Sequence, residues 1–317
     1  MVGKAEERQG TALVLLGQPE QARRVHERAL PLIEAGGDLV ILSRLLINLG
    51  EACKLSGDLS GARHYTERAA EIGGRIGNLD QTAFILGNLG GILTVQGEWH
   101  RARDVLDRAL ALVGVGGRSA NSASPLLCLG QLYLWEGDRD QAARYLREAL
   151  EISEEAHDRQ LQEHAQALLA ERDLLQGQPD EGVARLAPMV AREGANLGLL
   201  LPTLAWAELE RGEMATAAET AARSVERTRE HEPVYLVDAL RVQGMVLLNQ
   251  EQHEEAERAF QEGLEVARSL PYPYAEARIL EQMNKTEEAL AIFRRLGAKK
   301  DIERIEAASA ALRSTPG

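Results

Sequence analysis

The stretch Glu136-Gly-Asp-Arg-Asp-Gln-Ala-Ala-Arg-Tyr-Leu-Arg-Glu-Ala-Leu-Glu-Ile152 decides the fold. It opens on a turn at Glu136-Gly137-Asp138. It continues with small or apolar residues at Ala142, Tyr145, Leu146, Ala149 and Ile152, the spacing of one buried helical face. The same sentence recurs along the chain. Gly17, Gly57, Gly97, Gly137, Gly177 and Gly212 each open a copy, and Glu251 and Asn284 hold the equivalent place in two more. Successive separations are 40, 40, 40, 40, 35, 39 and 33 residues. A period in this range is the mark of stacked supersecondary units, so it outranks any local motif.

Each unit reads as two helices flanking the turn. Seven residues before the turn position lies a small residue in the first helix: Gly10, Gly50, Gly90, Gly130, Ala170, Ala205, Gly244 and Ala277. Glycine inside a helix costs about 1 kcal/mol against alanine, so its recurrence at one register implies a close helix crossing. In the second helix small residues recur from Ala22, Ala62, Ala102 and Ala142 onward. Larger plugs lie between them, read as Val25, Tyr65, Leu106, Leu146, Leu186, Phe260 and Phe293. A last apolar face at Ile302, Ile305, Ala308 and Leu312 predicts a capping helix over 300–312, which a repeat array needs to cover its terminal unit.

These features, with Leu-Gly or Leu-Ala in the first helix, Gly-Asp/Glu at the turn and Ala…Ala-Leu in the second, resemble tetratricopeptide repeats. The resemblance runs from about Thr11 to Leu296 and implies an all-α, right-handed superhelical solenoid of about eight hairpins plus the capping helix. The expected units are 1–36, 37–77, 78–117, 118–157, 158–195, 196–232, 233–270 and 271–297. The period exceeds the family's usual length. The surplus falls between each second helix and the next first helix, as extra helical turns or a longer loop. Glycines such as Gly36-Gly37 and Gly73-Gly74, and prolines at Glu232-Pro233 and Leu270-Pro-Tyr-Pro273, end helices there. The segments Leu270-Pro-Tyr-Pro-Tyr-Ala-Glu-Ala-Arg278 and Ala291-Ile-Phe-Arg-Arg-Leu-Gly-Ala-Lys-Lys-Asp-Ile-Glu-Arg304 also resemble the C-terminal repeat regions of bacterial MalT-like and LuxR-type signal-transduction ATPases. In those proteins the array is similar to a sensor arm beside an NTPase. This sequence contains neither a phosphate-binding Gly-x-x-x-x-Gly-Lys-Ser/Thr loop nor an evident helix-turn-helix.

Composition narrows the function. The 317 residues carry a formal net charge of −13, which argues against a nucleic-acid or anionic-membrane footprint. Only 4% are aromatic, so the core rests on Ala and Leu. Two cysteines, Cys53 and Cys128, fall in helical pattern and read as buried thiols. The charged N-terminus lacks a secretory apolar core, and the default expectation is cytoplasmic. None of the seven histidines forms His-Glu-x-x-His. His157 and His164, seven apart, are the one pair that spacing offers a metal, and solvated junction histidines explain them as well. No catalytic constellation, cofactor motif or metal motif emerges, so a non-enzymatic role is expected.

In the resembled family, first helices line a concave groove that holds a peptide or partner. By that register the groove residues are Arg44, Asn48, Glu51, Phe84, Asn88, Gln131, Trp135, His164, Trp206 and Asp238, with Lys54 and Glu171 nearby. Asn48 and Asn88 stand one repeat apart, where paired amides suit a peptide backbone. Trp135 and Trp206 suit either anchors or core. A terminal-carboxylate clamp is not expected. Its matching places hold Glu7, Thr11, Asn48, Phe84 and Asn88, and only Asn48 agrees with the family. The expected function is a protein- or peptide-binding sensor or interaction arm of a bacterial regulator, with a small inducer as a further candidate ligand. Binding would be coupled to superhelix pitch. The alternative is an assembly scaffold without an effector.

Overall fold

The computed structural model describes the backbone of residues 2–15, 18–116, 119–230 and 232–314. Among these residues there are seventeen α-helices and no strands. They pair as α1 (Val2–Leu15) with α2 (Pro19–Gly36), α3 (Leu39–Leu55) with α4 (Leu59–Ile76), and α5 (Leu79–Val95) with α6 (Trp99–Gly116). A 3-10 turn at Ala120–Ser122 leads into α7 (Ala123–Glu136), which pairs with α8 (Arg139–Glu155). The remaining pairs are α9 (Arg159–Leu175) with α10 (Pro179–Val190), α11 (Leu197–Glu210) with α12 (Met214–Thr228), α13 (Pro233–Asn249) with α14 (His253–Ser269), and α15 (Pro273–Gln282) with α16 (Thr286–Leu296). The capping helix α17 spans Lys299–Ser314. The expected all-α right-handed solenoid is what the chain forms.

The turn position is a left-handed residue in every described copy. Gly57, Gly97, Gly137, Gly177 and Gly212 have φ between 72° and 96°, and Glu251 and Asn284 take 61° and 58°. Glycine reaches that region without a Cβ clash, which is why it dominates the place. Gly17 lies outside the described residues. Helix starts are fixed by Asx caps: Asp38, Asp58, Asn78, Asp138, Asp158 and Asn196 each accept a backbone N–H three residues on. Pro233 and Pro273 act from the other side of their junctions. Each opens the next helix at its first turn, where the missing N–H costs nothing. The surplus of the long repeats is helix: α2, α4 and α6 run 18 residues each, against 12 in α10 and 11 in α16.

The recurrent small residue in the first helix is explained by the paired second helix. A Cβ on Gly10, Gly50, Gly90, Gly130 or Gly244 would run into the side chains of His26, Thr66, Leu106, Leu146 and Phe260 respectively. These plugs all lie nine residues after the turn position. In the first two units the plug facing the glycine is therefore His26 and Thr66, one position beyond the expected Val25 and Tyr65. Hydrophobicity favoured the neighbour, but the helical register places the polar residue under the glycine.

Consecutive first helices touch one another along the array: α5 with α7, α7 with α9, α9 with α11, α11 with α13 and α13 with α15. Among the described residues no second helix meets the next second helix to that extent. First helices therefore form the inner, concave wall. The superhelix also closes on itself. A Cβ on Gly57 would meet Pro233 and Leu270 at 2.8 Å, and one on Gly97 would meet Pro273 at 2.6 Å. Both steps span 176 residues, so the turn of one unit sits on the start of a unit five places later. Gly137 likewise abuts Lys300 at the start of α17. Along this seam Trp135 stacks on Tyr274 with ring centroids 4.7 Å apart and lies 5.9 Å from Tyr272. Trp99 lies 5.8 Å from Tyr274, which in turn meets Phe293 edge-on at 5.8 Å.

Candidate functional site

The concave wall is the candidate site, and its residues come from one repeated register. The position immediately after the small residue of the first helix holds Glu51, Gly91, Gln131, Glu171, Trp206, Met245 and Arg278 in successive units from the second onward. Helical geometry turns that position toward the neighbouring first helices.

In the N-terminal half, polar groups pair with nearest neighbours. Arg44 donates to both carboxylate oxygens of buried Glu7, at 2.7 and 3.0 Å. Asn48 Nδ2 donates to Thr11 Oγ1 at 2.8 Å, and Ser124 Oγ donates to Asn88 Oδ1 at 3.1 Å. The two asparagines thus spend part of their amides bracing adjacent first helices. Glu51 pairs with Lys54 at 2.7 Å. Burial opposes the charge on Lys54, yet Glu51, together with Tyr235 and Cys128, leaves the Lys54 pKa raised. Lys54 is within electrostatic reach of Tyr235, Cys128 and His164, so the wall has curled until α3 faces α7, α9 and α13. Burial, with Lys54 adding to it, holds the His164 pKa down at about 4, so this imidazole is neutral at pH 7. Gln131 is half-buried on the same wall.

In the C-terminal half, four consecutive first helices converge on Trp206. Arg241 is 4% exposed. It donates through Nε to Asp238 at 3.1 Å and through a terminal nitrogen to the Met245 thioether at 3.2 Å. Arg278 donates to Glu171 at 2.7 Å, a reach of 107 residues, and lies 3.8 Å from Asp238. The Arg241 and Arg278 guanidiniums stand 5.0 and 5.2 Å from the Trp206 ring centroid. The indole N–H donates to Glu210 at 3.0 Å. Burial lowers the Arg241 pKa and the neighbouring Arg278 adds to that. For Arg278, Glu171 and Asp238 overcome the burial cost and raise it.

Three expectations change in this setting. Trp135, expected in the groove, is 3% exposed and belongs to the aromatic seam. Phe84 is half-buried and packs against the core around Leu45, Leu46 and Ile85. His157 and His164 do not share a helix face: His157 sits in the left-handed turn before α9 begins, with φ 56°, while His164 is on the inner wall. Among the described residues no group of three or more His, Cys, Asp or Glu side chains is placed to hold a metal ion. Cys53 and Cys128 are buried free thiols, and burial pushes their pKa values up to about 12 and about 11. No helix among the described residues is long and apolar enough to cross a membrane.

Helix pairs stacked at this period, with a first-helix wall turned inward, define a tetratricopeptide-type solenoid. The chain belongs to the MalT-like TPR region family, whose model matches residues 8–195. No curated protein matches the sequence. Among solved structures the chain is similar to NprR in complex with its cognate peptide NprX. There the TM-score is 0.59 at 14% identity, over 99% of this chain and 89% of that one. It is also similar to the apo form of RapI (TM-score 0.64, 13% identity, 85% and 99% covered). A third similar structure is a Rap protein complexed with Competence and Sporulation Factor (TM-score 0.59, 13% identity, 96% and 99% covered). At these identities the likeness is one of fold.

Proposed function

We propose that the chain is a non-enzymatic recognition module, the sensor or interaction arm of a bacterial regulator acting in the cytoplasm, and that it holds a peptide or an extended protein segment along its concave wall. The observation that carries this reading is the distribution of polar and aromatic groups. They stand along the inner wall from Arg44 and Lys54 on α3 through His164 on α9 and Trp206 on α11 to Arg278 on α15. Contacts spread over several repeat units suit an elongated ligand. Membership in the MalT-like family supports a regulatory setting. The likeness to NprR and Rap structures that contain NprX and Competence and Sporulation Factor supports a peptide as the ligand class.

The test is equilibrium binding of short peptides selected from a displayed library against the full chain. Lys54→Ala and Trp206→Ala, on the second and sixth first helices, are expected to weaken the selected peptides while leaving helicity intact. Peptides that bind both variants undiminished would place recognition away from the concave wall and overturn the reading. Whole proteins captured without any peptide binding would favour a scaffold.

A further inference from the structure

Arg278 sits in a recess with the chemistry of a cation receptor. Its guanidinium is 2.7 Å from Glu171 and 3.8 Å from Asp238, and its carbon stands 5.2 Å from the Trp206 ring centroid and 5.7 Å from that of Tyr274. Two carboxylates beside an indole face select a flat, delocalised cation. Guanidinium meets carboxylates edge-on and stacks on an aromatic face, which an ammonium does less well. The recess is built from α9, α11 and α13, and its occupant arrives separately from α15.

The walls have a partner structure that does not depend on Arg278. Asp238 accepts from Arg241, whose guanidinium rests on Trp206. With that pair offsetting one another, Glu171 is the carboxylate left over, and a single guanidinium neutralises the recess. The recess also has an opening: the Asp238 side chain keeps 27% of its surface exposed, whereas Glu171 keeps 12%. Arg278 is held there through its side chain, which keeps 11% of its surface exposed, and its departure would leave α15 in place. Replacing it by another guanidinium leaves the number of buried charges unchanged, so the exchange avoids the penalty of stranding Glu171. The chain's net charge of −13 draws cationic ligands toward it at long range.

We propose that the Glu171–Trp206–Asp238 recess is a subsite for an arginine side chain of a bound peptide, and that Arg278 fills it in cis until such a peptide displaces it. This rests on the peptide-binding reading above and adds the ligand's chemistry. Arg278 is then a built-in competitor. It lowers the apparent affinity by the fraction of time it occupies the recess.

The test uses pools of acetylated, amidated pentapeptides with the central residue fixed as arginine, lysine or glutamate. They are titrated against the full chain and its Arg278→Ala variant by calorimetry and tryptophan emission. The arginine pool is expected to bind Arg278→Ala about tenfold tighter than the unaltered chain, in the order arginine, lysine, glutamate. Adding Glu171→Gln to Arg278→Ala is expected to abolish that gain. If Arg278→Ala does not fold, Arg278→Lys supplies the test, because lysine fills the recess less well and should still raise affinity for the arginine pool. An unchanged affinity, or an equal gain for all three pools, overturns the subsite. So does a variant that only melts earlier. Peptide binding that ignores arginine in every variant overturns the subsite while leaving the groove reading intact. Absence of binding by every pool to every variant overturns both.

Discussion

Glu51 and Glu171 occupy the same register in units two and five, yet they do different things. Glu51 meets Lys54 of its own helix, and around it Arg44, Asn48 and Asn88 reach only to the adjacent first helix. Glu171 reaches Arg278, three units on, beside Trp206 and Asp238. The repeat assigns each residue to the inner wall. The curvature then decides whether it braces its neighbour or meets a distant helix. The hydrogen bonds of the N-terminal half form a ladder of local ties, with only longer-range electrostatics from Lys54 reaching distant helices, and the C-terminal half is a knot.

The sharpest way to break this contrast is at the seam behind the knot. Trp135→Ala empties a buried site stacked on Tyr274 and is expected to cost about 4 kcal/mol of stability, read by urea denaturation. A loss below about 1 kcal/mol would mean that the seam contributes little.

The N-terminal half should instead respond to acid. His26 is fully buried with both ring nitrogens unbonded, and burial lowers its pKa to about 4 against an ordinary 6.5, partly countered by Glu7. The unfolded state then binds more protons than the folded one between these values. Stability from this site is therefore complete above pH 6.5 and falls by about 3 kcal/mol as pH drops toward 4. His26→Leu, which places there the residue that units three and four use, should remove that component from a pH series of melting curves. An unchanged slope would refute the assignment.

A matched pair of glycine substitutions sharpens the comparison further. An alanine Cβ at Gly244 lands on the rigid Phe260 ring and should cost about 2 kcal/mol. At Gly50 it meets Thr66 Oγ1, and the improved helix propensity offsets most of the crowding, leaving a change of about 0.5 kcal/mol or less. Equal losses in thermal melts would show that the two crossings are packed alike. A similarly small effect is expected of Asn48→Ala. It removes one half-buried tie to Thr11 and should cost about 1 kcal/mol or less.

Much of this was legible in the sequence. The turn positions follow from the need for a left-handed residue, and even Glu251 and Asn284 keep it. The inner wall follows from register, and Arg44, Asn48, Glu51, His164, Trp206 and Asp238 lie on it. Arg278 was within reach of the same rule, since it follows Ala277 as Glu171 follows Ala170. Its segment also carries the family resemblance, which masks that register. Arg241 and Tyr235 stand at other positions, three and nine residues before Gly244. Trp135 was beyond local reasoning, because its burial depends on a partner more than a hundred residues away. His26 and Thr66 are hidden by hydrophobicity alone, which favours Val25 and Tyr65 next door.

The self-contact spanning 176 residues has a consequence for how the chain folds. An open array can grow and fray from either end, each unit answering only to its neighbours. Here the second unit's turn has no seat until the seventh unit exists, and closing so long a loop carries an entropic cost that local stacking does not. The ends are thereby joined in one cooperative transition, and a chain emerging from the ribosome reaches its final rigidity only once Pro233 and Pro273 have been synthesised and docked.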